Sequence, residues 1–187
     1  MRKVLVLVCA LALALGGFAL AEAQEEGAAL YQSELGYAIA LPDETWFKLD
    51  AQTYAQYADT ELGAAFAGLG LTEETVGLIE GSNMEYFYTS ASPEQNLNVQ
   101  VQAAMDEAQQ QSAIELYRQM YEAMGVTDFV SGEFTVGENT FMGCEFTLLG
   151  GSVLQAMAYT DNASYILSFT GMDADTIARV LTPATFA

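Results

Sequence analysis

The stretch FVSGEFTVGENTFMGCEFTLLGGSVLQAMAYTDNASYILSFT, Phe129 to Thr170, decides the fold. Its apolar residues recur every second position in runs of seven to ten, and turn residues divide the runs. Phe129 to Val136 is the first strand, closed by Gly137-Glu138-Asn139. Thr140 to Leu149 is the second, with Met142, Cys144, Phe146 and Leu148 on one face and Gly143, Glu145 and Thr147 on the other. Gly150-Gly151 is expected to form a two-residue hairpin turn, because neither residue carries a Cβ that resists positive φ. Ser152 to Thr160, the turn Asp161-Asn162-Ala163, and Ser164 to Thr170 complete a four-stranded meander. One face of such a sheet is apolar and must be covered. A charge at Phe146 should therefore be intolerable, while one at Thr147 should cost about 1 kcal/mol or less.

Upstream, the chain supplies the cover. Leu30 to Ser33 and Tyr37 to Leu41 read as a short hairpin, and Pro42, which lacks a ladder donor, stops it. Trp46 and Phe47 follow, as a plug at the edge of the core or as a ligand platform. Asp50 is an N-cap for a helix reaching Leu62, with Tyr54, Tyr57, Ala58 and Leu62 on one face. Thr72-Glu73-Glu74 opens a second helix with Val76 and Ile79 inward and Gly81 as its stop. Met84 to Ser90 and Asn96 to Gln102 pair around Ser92-Pro93-Glu94; the second alternates Leu97, Val99 and Val101 with Asn98, Gln100 and Gln102. The capping box Ser112-x-x-Glu115 opens a longer helix with Ile114, Tyr117, Met120, Tyr121 and Met124 as its apolar stripe and Gly125 at its end. Asp173 caps a last helix that buries Ile177, Val180 and Leu181 before Pro183. Grouped strands with interspersed helices, rather than strict βαβ alternation, make the class α+β with a largely antiparallel sheet covered by helices.

The 187 residues suit one domain. Residues 1 to 23 read as a secretory signal peptide: Arg2 and Lys3, then the apolar run Val4 to Leu15, then small-x-small sites ending at Ala21 and Ala23. The mature chain, from residue 24, is then extracytoplasmic and has no membrane span. It keeps Cys144 alone, so no intramolecular disulfide forms, and Cys144 reads as a small core residue. The absence of disulfides in an exported chain leans towards a bacterial source.

Charge and missing residue types exclude several functions. Acidic side chains number 25 against 5 basic ones, which disfavours nucleic acid and anionic membrane surfaces. The chain has no histidine, removing Ser-His-Asp and Cys-His nucleophile pairs and the commonest metal ligand. Lys48 is the only lysine beyond the leader, so no phosphate-cradling glycine loop has its lysine. Asp173-Ala174-Asp175 lacks the surrounding pattern of a calcium loop and reads as a cap. Asn162-Ala163-Ser164 matches a glycosylation sequon, although Asn is expected in that turn anyway. No catalytic, cofactor-binding or metal-ligating set is singled out.

Tyr37-Ala38-Ile39-Ala40-Leu41-Pro42 followed by Trp46 resembles the opening of small secreted bacterial proteins with the PsbP/Mog-like α/β/α sandwich. The long helix ending at Gly125, the meander and the closing helix are similar to the rest of that layout. That family includes photosystem and Ran-GTPase partners and many exported proteins. The resemblance implies an exported, non-enzymatic binding or accessory domain with a protein or envelope partner, and carries no catalytic residue across. The alternatives from the residues themselves are a small hydrolase using a carboxylate pair, and a cell-envelope structural protein. Two carboxylates with raised pKa gathered in a pocket would mark the hydrolase, and a flat, closed surface would mark binding.

Overall fold

The computed structural model describes residues 29–92 and 94–187. The signal-peptide assignment to residues 1 to 23 lies outside them, as does Pro93.

The meander forms as four antiparallel strands, β6 (Val130–Val136), β7 (Asn139–Leu148), β8 (Gly151–Tyr159) and β9 (Ala163–Thr170). The β7–β8 turn differs from the expected one. Leu148 pairs with Gly151, so the loop is Leu149-Gly150, with φ of +53° and +85°. This register sets Phe146 opposite Val153, two buried apolar side chains, and packing therefore chooses the loop. Leu149 is left fully exposed in the left-handed region, where its Cβ is strained. Leu149→Asn should stabilise the protein by about 0.5–1 kcal/mol, since Asn-Gly suits a type I′ turn. An unchanged or lower urea midpoint would contradict this.

Three further strands extend the sheet: β3 (Trp46–Lys48), β4 (Met84–Thr89) and β5 (Asn96–Ala103). The order is β3-β4-β5-β9-β8-β7-β6, antiparallel at every pair. A second, three-stranded sheet joins β1 (Leu30–Gln32), β2 (Tyr37–Ala40) and β10 (Thr185–Phe186) in the order β1-β2-β10.

Both faces of the large sheet are covered. On one, α1 (Ala51–Tyr57), α2 (Glu61–Gly68) and α3 (Glu73–Glu80) pack Phe66 and Val76 against Tyr88 of β4. On the same face α4 (Glu107–Ala123) sets Ile114, Tyr117 and Tyr121 over the meander, beside Cys144, Met157, Ile166 and Phe146. The other face carries the main core, where Phe87, Leu97, Val99, Phe141, Leu167 and Phe169 meet Tyr37 and Ile39 of β2 and Ile177 and Leu181 of α5 (Ala174–Leu181). The face of β7 opposite Phe146 is thus not simply wet. Phe141 and Gly143 are buried there, and only Glu145 and Thr147, towards the strand end, reach solvent.

Several helix ends follow the sequence. Asp50, Thr72 and Asp173 accept backbone N–H bonds from the third residue onward, and Gly125 takes φ +92°. At that end Val126 N–H donates to Tyr121 O and Gly125 N–H to Glu122 O, a Schellman closure. Two expectations change. The long helix starts at Glu107, because Asp106 and Gln109 already form a capping box; Ser112 lies inside it and donates to Ala108 O. The helix expected up to Leu62 breaks after Tyr57 and restarts at the cap Thr60. Gly63 permits that corner, since a Cβ there would overlap the carbonyl oxygens of Tyr57 and Ala58.

Candidate functional site

Two concave features draw together side chains that the sequence leaves apart. The first is polar. Glu85, on β4, alternates with Tyr86 and Tyr88 and so shares the Phe87 side of the sheet, under β1 and β2. It is 6% exposed. Its carboxylate accepts from Tyr31 Oη at 2.8 Å, Ser33 Oγ at 2.7 Å and Lys48 Nζ at 2.7 Å, and from the Tyr37 hydroxyl. Burial alone would raise its pKa, but the bonds from Lys48, Tyr37, Ser33 and Tyr31 outweigh it and hold the group below its ordinary value. Burial and the bond to Glu85 push the Tyr31 hydroxyl up to about 12, and that of Tyr37 up as well. Lys48 loses some basicity to burial but gains more from Glu85, so its pKa rises. The arrangement is an anion fully matched by donors, tying the small sheet to the large one. A neighbouring cavity of about 320 Å³ is lined by Tyr31, Lys48 and Glu85 of this cluster together with Glu34, Glu80 and Ser82.

The second feature is an apolar groove of about 290 Å³ between α5 and the outer strands β6 to β8. Met172, Ala174, Ile177 and Ala178 form one wall, and Val130, Phe134, Val136 and Leu154 are among the residues of the other. In its floor Gly132 pairs with Gly143, and the lack of a side chain on Gly143 makes room for the ring of Phe134. A Cβ on Gly143 would collide with the Phe134 ring, which lies across it and stacks on Phe141 at 5.5 Å. At one end, Gly137 lies against Thr182, and Asn139 Nδ2 donates to Leu181 O and Ala184 O, fixing the β6–β7 turn to the end of α5. Glu145 is the carboxylate of the lining, and the lining holds no basic side chain.

Residues considered from the sequence fall elsewhere. Trp46 is buried in the main core, and Phe47 stacks on Tyr57 at 4.9 Å, so the pair is a core plug. Burial pushes the Cys144 thiol up to about 12. Asp173 caps α5, accepting from Thr176 N–H at 2.8 Å. Asn162 sits in the β8–β9 turn. Met120 and Met124, expected in the apolar stripe, are instead exposed beside Leu116, because Ile114, Tyr117 and Tyr121 take the inward positions. Neither concave feature was expected. Each had a local signal: an acid amid the aromatics of Met84–Thr89, and glycines inside the runs containing Phe134 and Phe141.

No protein-family model matches the sequence, and no curated protein is significantly similar to it. Solved structures are similar in fold. The solution structure of cyanobacterial PsbP (CyanoP) from Synechocystis sp. PCC 6803 superposes with a TM-score of 0.52 at 9% identity, over 92% of this chain and 99% of that one. A crystal structure from Bacteroides thetaiotaomicron VPI-5482 gives a TM-score of 0.48 at 12% identity, over 86% of this chain. This chain spans about half of that one, 48%. The protein has a PsbP-like α+β sandwich fold, with a seven-stranded antiparallel sheet and five helices among the described residues.

Proposed function

We propose that this chain is an exported, non-enzymatic binding or accessory domain that holds an apolar group of its partner in the groove beneath α5. The groove carries the reading: it is concave, lined by Val130, Phe134, Leu154, Met172 and Ile177, and floored by paired glycines. Its volume of about 290 Å³ lies at the small end of ligand sites, which run from about 300 to 1,000 Å³, and so favours a few side chains or a compact apolar group. The Glu85 cluster does not supply the general acid of a hydrolase. A carboxylate general acid needs a raised pKa, and that of Glu85 moves the other way. The basic, apolar leader supports export, and the lack of a second cysteine beyond it supports a bacterial source.

One preparation tests the whole reading. Protein recovered from the periplasm or medium should have an intact mass lacking residues 1–21 or 1–23. It should enhance the fluorescence of N-phenyl-1-naphthylamine, and Ala178→Trp, which fills the groove, should weaken that binding at least about tenfold without changing the circular dichroism. Equal dye binding by wild type and Ala178→Trp would reject the groove. Turnover in an ester and glycoside screen, abolished by one Asp or Glu substitution in a folded variant, would reject the non-enzymatic reading.

A further inference from the structure

We propose that the groove's occupant is an extended protein segment of alternating apolar and basic residues, added edge to edge to β6. This rests on the groove being a binding site. The two edges of the large sheet differ. The β3 edge is three residues long and is followed at once by α1, whereas β6 offers seven residues and, among the described residues, is hydrogen-bonded to β7 alone. Long outer strands are ordinarily guarded by proline, lysine or a bulge. Val130–Val136 contains no proline and no lysine, and pairs with β7 without interruption. Its main-chain donors and acceptors are those of a strand prepared for a neighbour.

The groove lies where that neighbour's side chains would point. Val130, Gly132, Phe134 and Val136 line it, one residue in two along β6, and Thr135 is the one further β6 residue in the lining. A strand laid about 4.8 Å further out keeps the same period, so its alternate side chains project beside these four, under α5. The other side of β6 carries Ser131, Glu133 and Thr135, with Glu133 exposed at the strand's midpoint. Glu145 stands on the groove side, and the chain's formal charge is −20. A partner strand is therefore favoured when the residues flanking its apolar positions are Lys or Arg. A second copy of this chain is not, since symmetric antiparallel pairing of β6 would set Glu133 against Glu133.

The test uses the peptide acetyl-Lys-Val-Lys-Val-Lys-Val-Lys-amide and its glutamate counterpart. The basic peptide should bind and slow amide exchange across Val130–Val136 at least about tenfold, leaving Trp46–Lys48 unchanged. Ala178→Trp should weaken it at least about tenfold. Glu133→Lys should weaken it several-fold while leaving binding of the naphthylamine dye intact. Equal binding of the acidic peptide, binding without protection of β6, no binding of either peptide, or a dimer in sedimentation without peptide would overturn strand addition. If any of these occurs while the dye still binds and Ala178→Trp blocks it, the groove reading stands and only the strand addition fails. If the dye does not bind, both fall.

Discussion

Phe146→Asp is expected to abolish the cooperative urea transition. Phe146 is 2% exposed, and its ring lies 4.0 Å from that of Tyr121 and 5.8 Å from that of Phe129, opposite Val153. An aspartate there loses the packing of a large aromatic, about 3–5 kcal/mol, and also buries an unpaired charge. Domains of this kind have about 5–15 kcal/mol in hand, so the sum exhausts most or all of it. Thr147→Asp is the companion variant. Periodicity alone makes it nearly neutral, but Thr147 donates its N–H to Asp128 at 3.1 Å and its hydroxyl to the same carboxylate at 2.7 Å. A second carboxylate there loses the hydroxyl bond and repels the first. Thr147→Asp should keep a cooperative transition with a lowered midpoint. Equal losses in the two variants would mean that Phe146 is not in the core.

Glu85→Ala should cost about 1–3 kcal/mol, since buried hydroxyls are left without their acceptor. Lys48 is the better placed of those left, being 34% exposed at its side chain, and can turn to water. The hydroxyls of Tyr31, Ser33 and Tyr37 lose their shared acceptor. The pH profile has a definite sign. The folded pKa of Glu85 is depressed, so the unfolded chain takes up the proton first as pH falls. The stabilisation is complete above the ordinary glutamate value of about 4.3 and drains as pH drops through the lower folded value. Lys48 acts at the opposite limb: its folded pKa is raised, so its contribution is complete below about 10.4 and is lost as pH climbs through the folded value. Urea midpoints between about pH 5 and 10 should therefore be insensitive to this pair. Glu85→Gln should flatten the acid limb, and an acid limb unchanged in that variant would mean that Glu85 does not carry it.

Much of the local structure was legible in the residues. The caps Asp50, Thr72 and Asp173, the stop at Gly125, the four strands of the meander and the inward face of Phe146 follow from backbone preferences and from period-two alternation. These are properties of neighbours in the chain. The resemblance carried by Tyr37 to Pro42 and Trp46 pointed to the same PsbP-like fold that the structure comparison shows.

The candidate sites were decided by contacts between distant segments. Glu85 meets Tyr31, Ser33 and Tyr37 across 48 to 54 residues, and no pattern in Met84–Thr89 says which hydroxyls its carboxylate will find. Gly132 and Gly143 make a groove only because the β6–β7 register sets them opposite one another and α5 returns over them. The second buried face of β7 likewise depends on β2 and α5 folding back onto Phe141, since alternation reports that two faces differ and not what covers each. The sequence by itself determined the meander, the caps Asp50, Thr72 and Asp173 and one face of the sheet, but not the start of α4, the break after Tyr57 or the short strands β3 and β10. Register and long-range packing alone decided where a carboxylate is locked and where a partner has room.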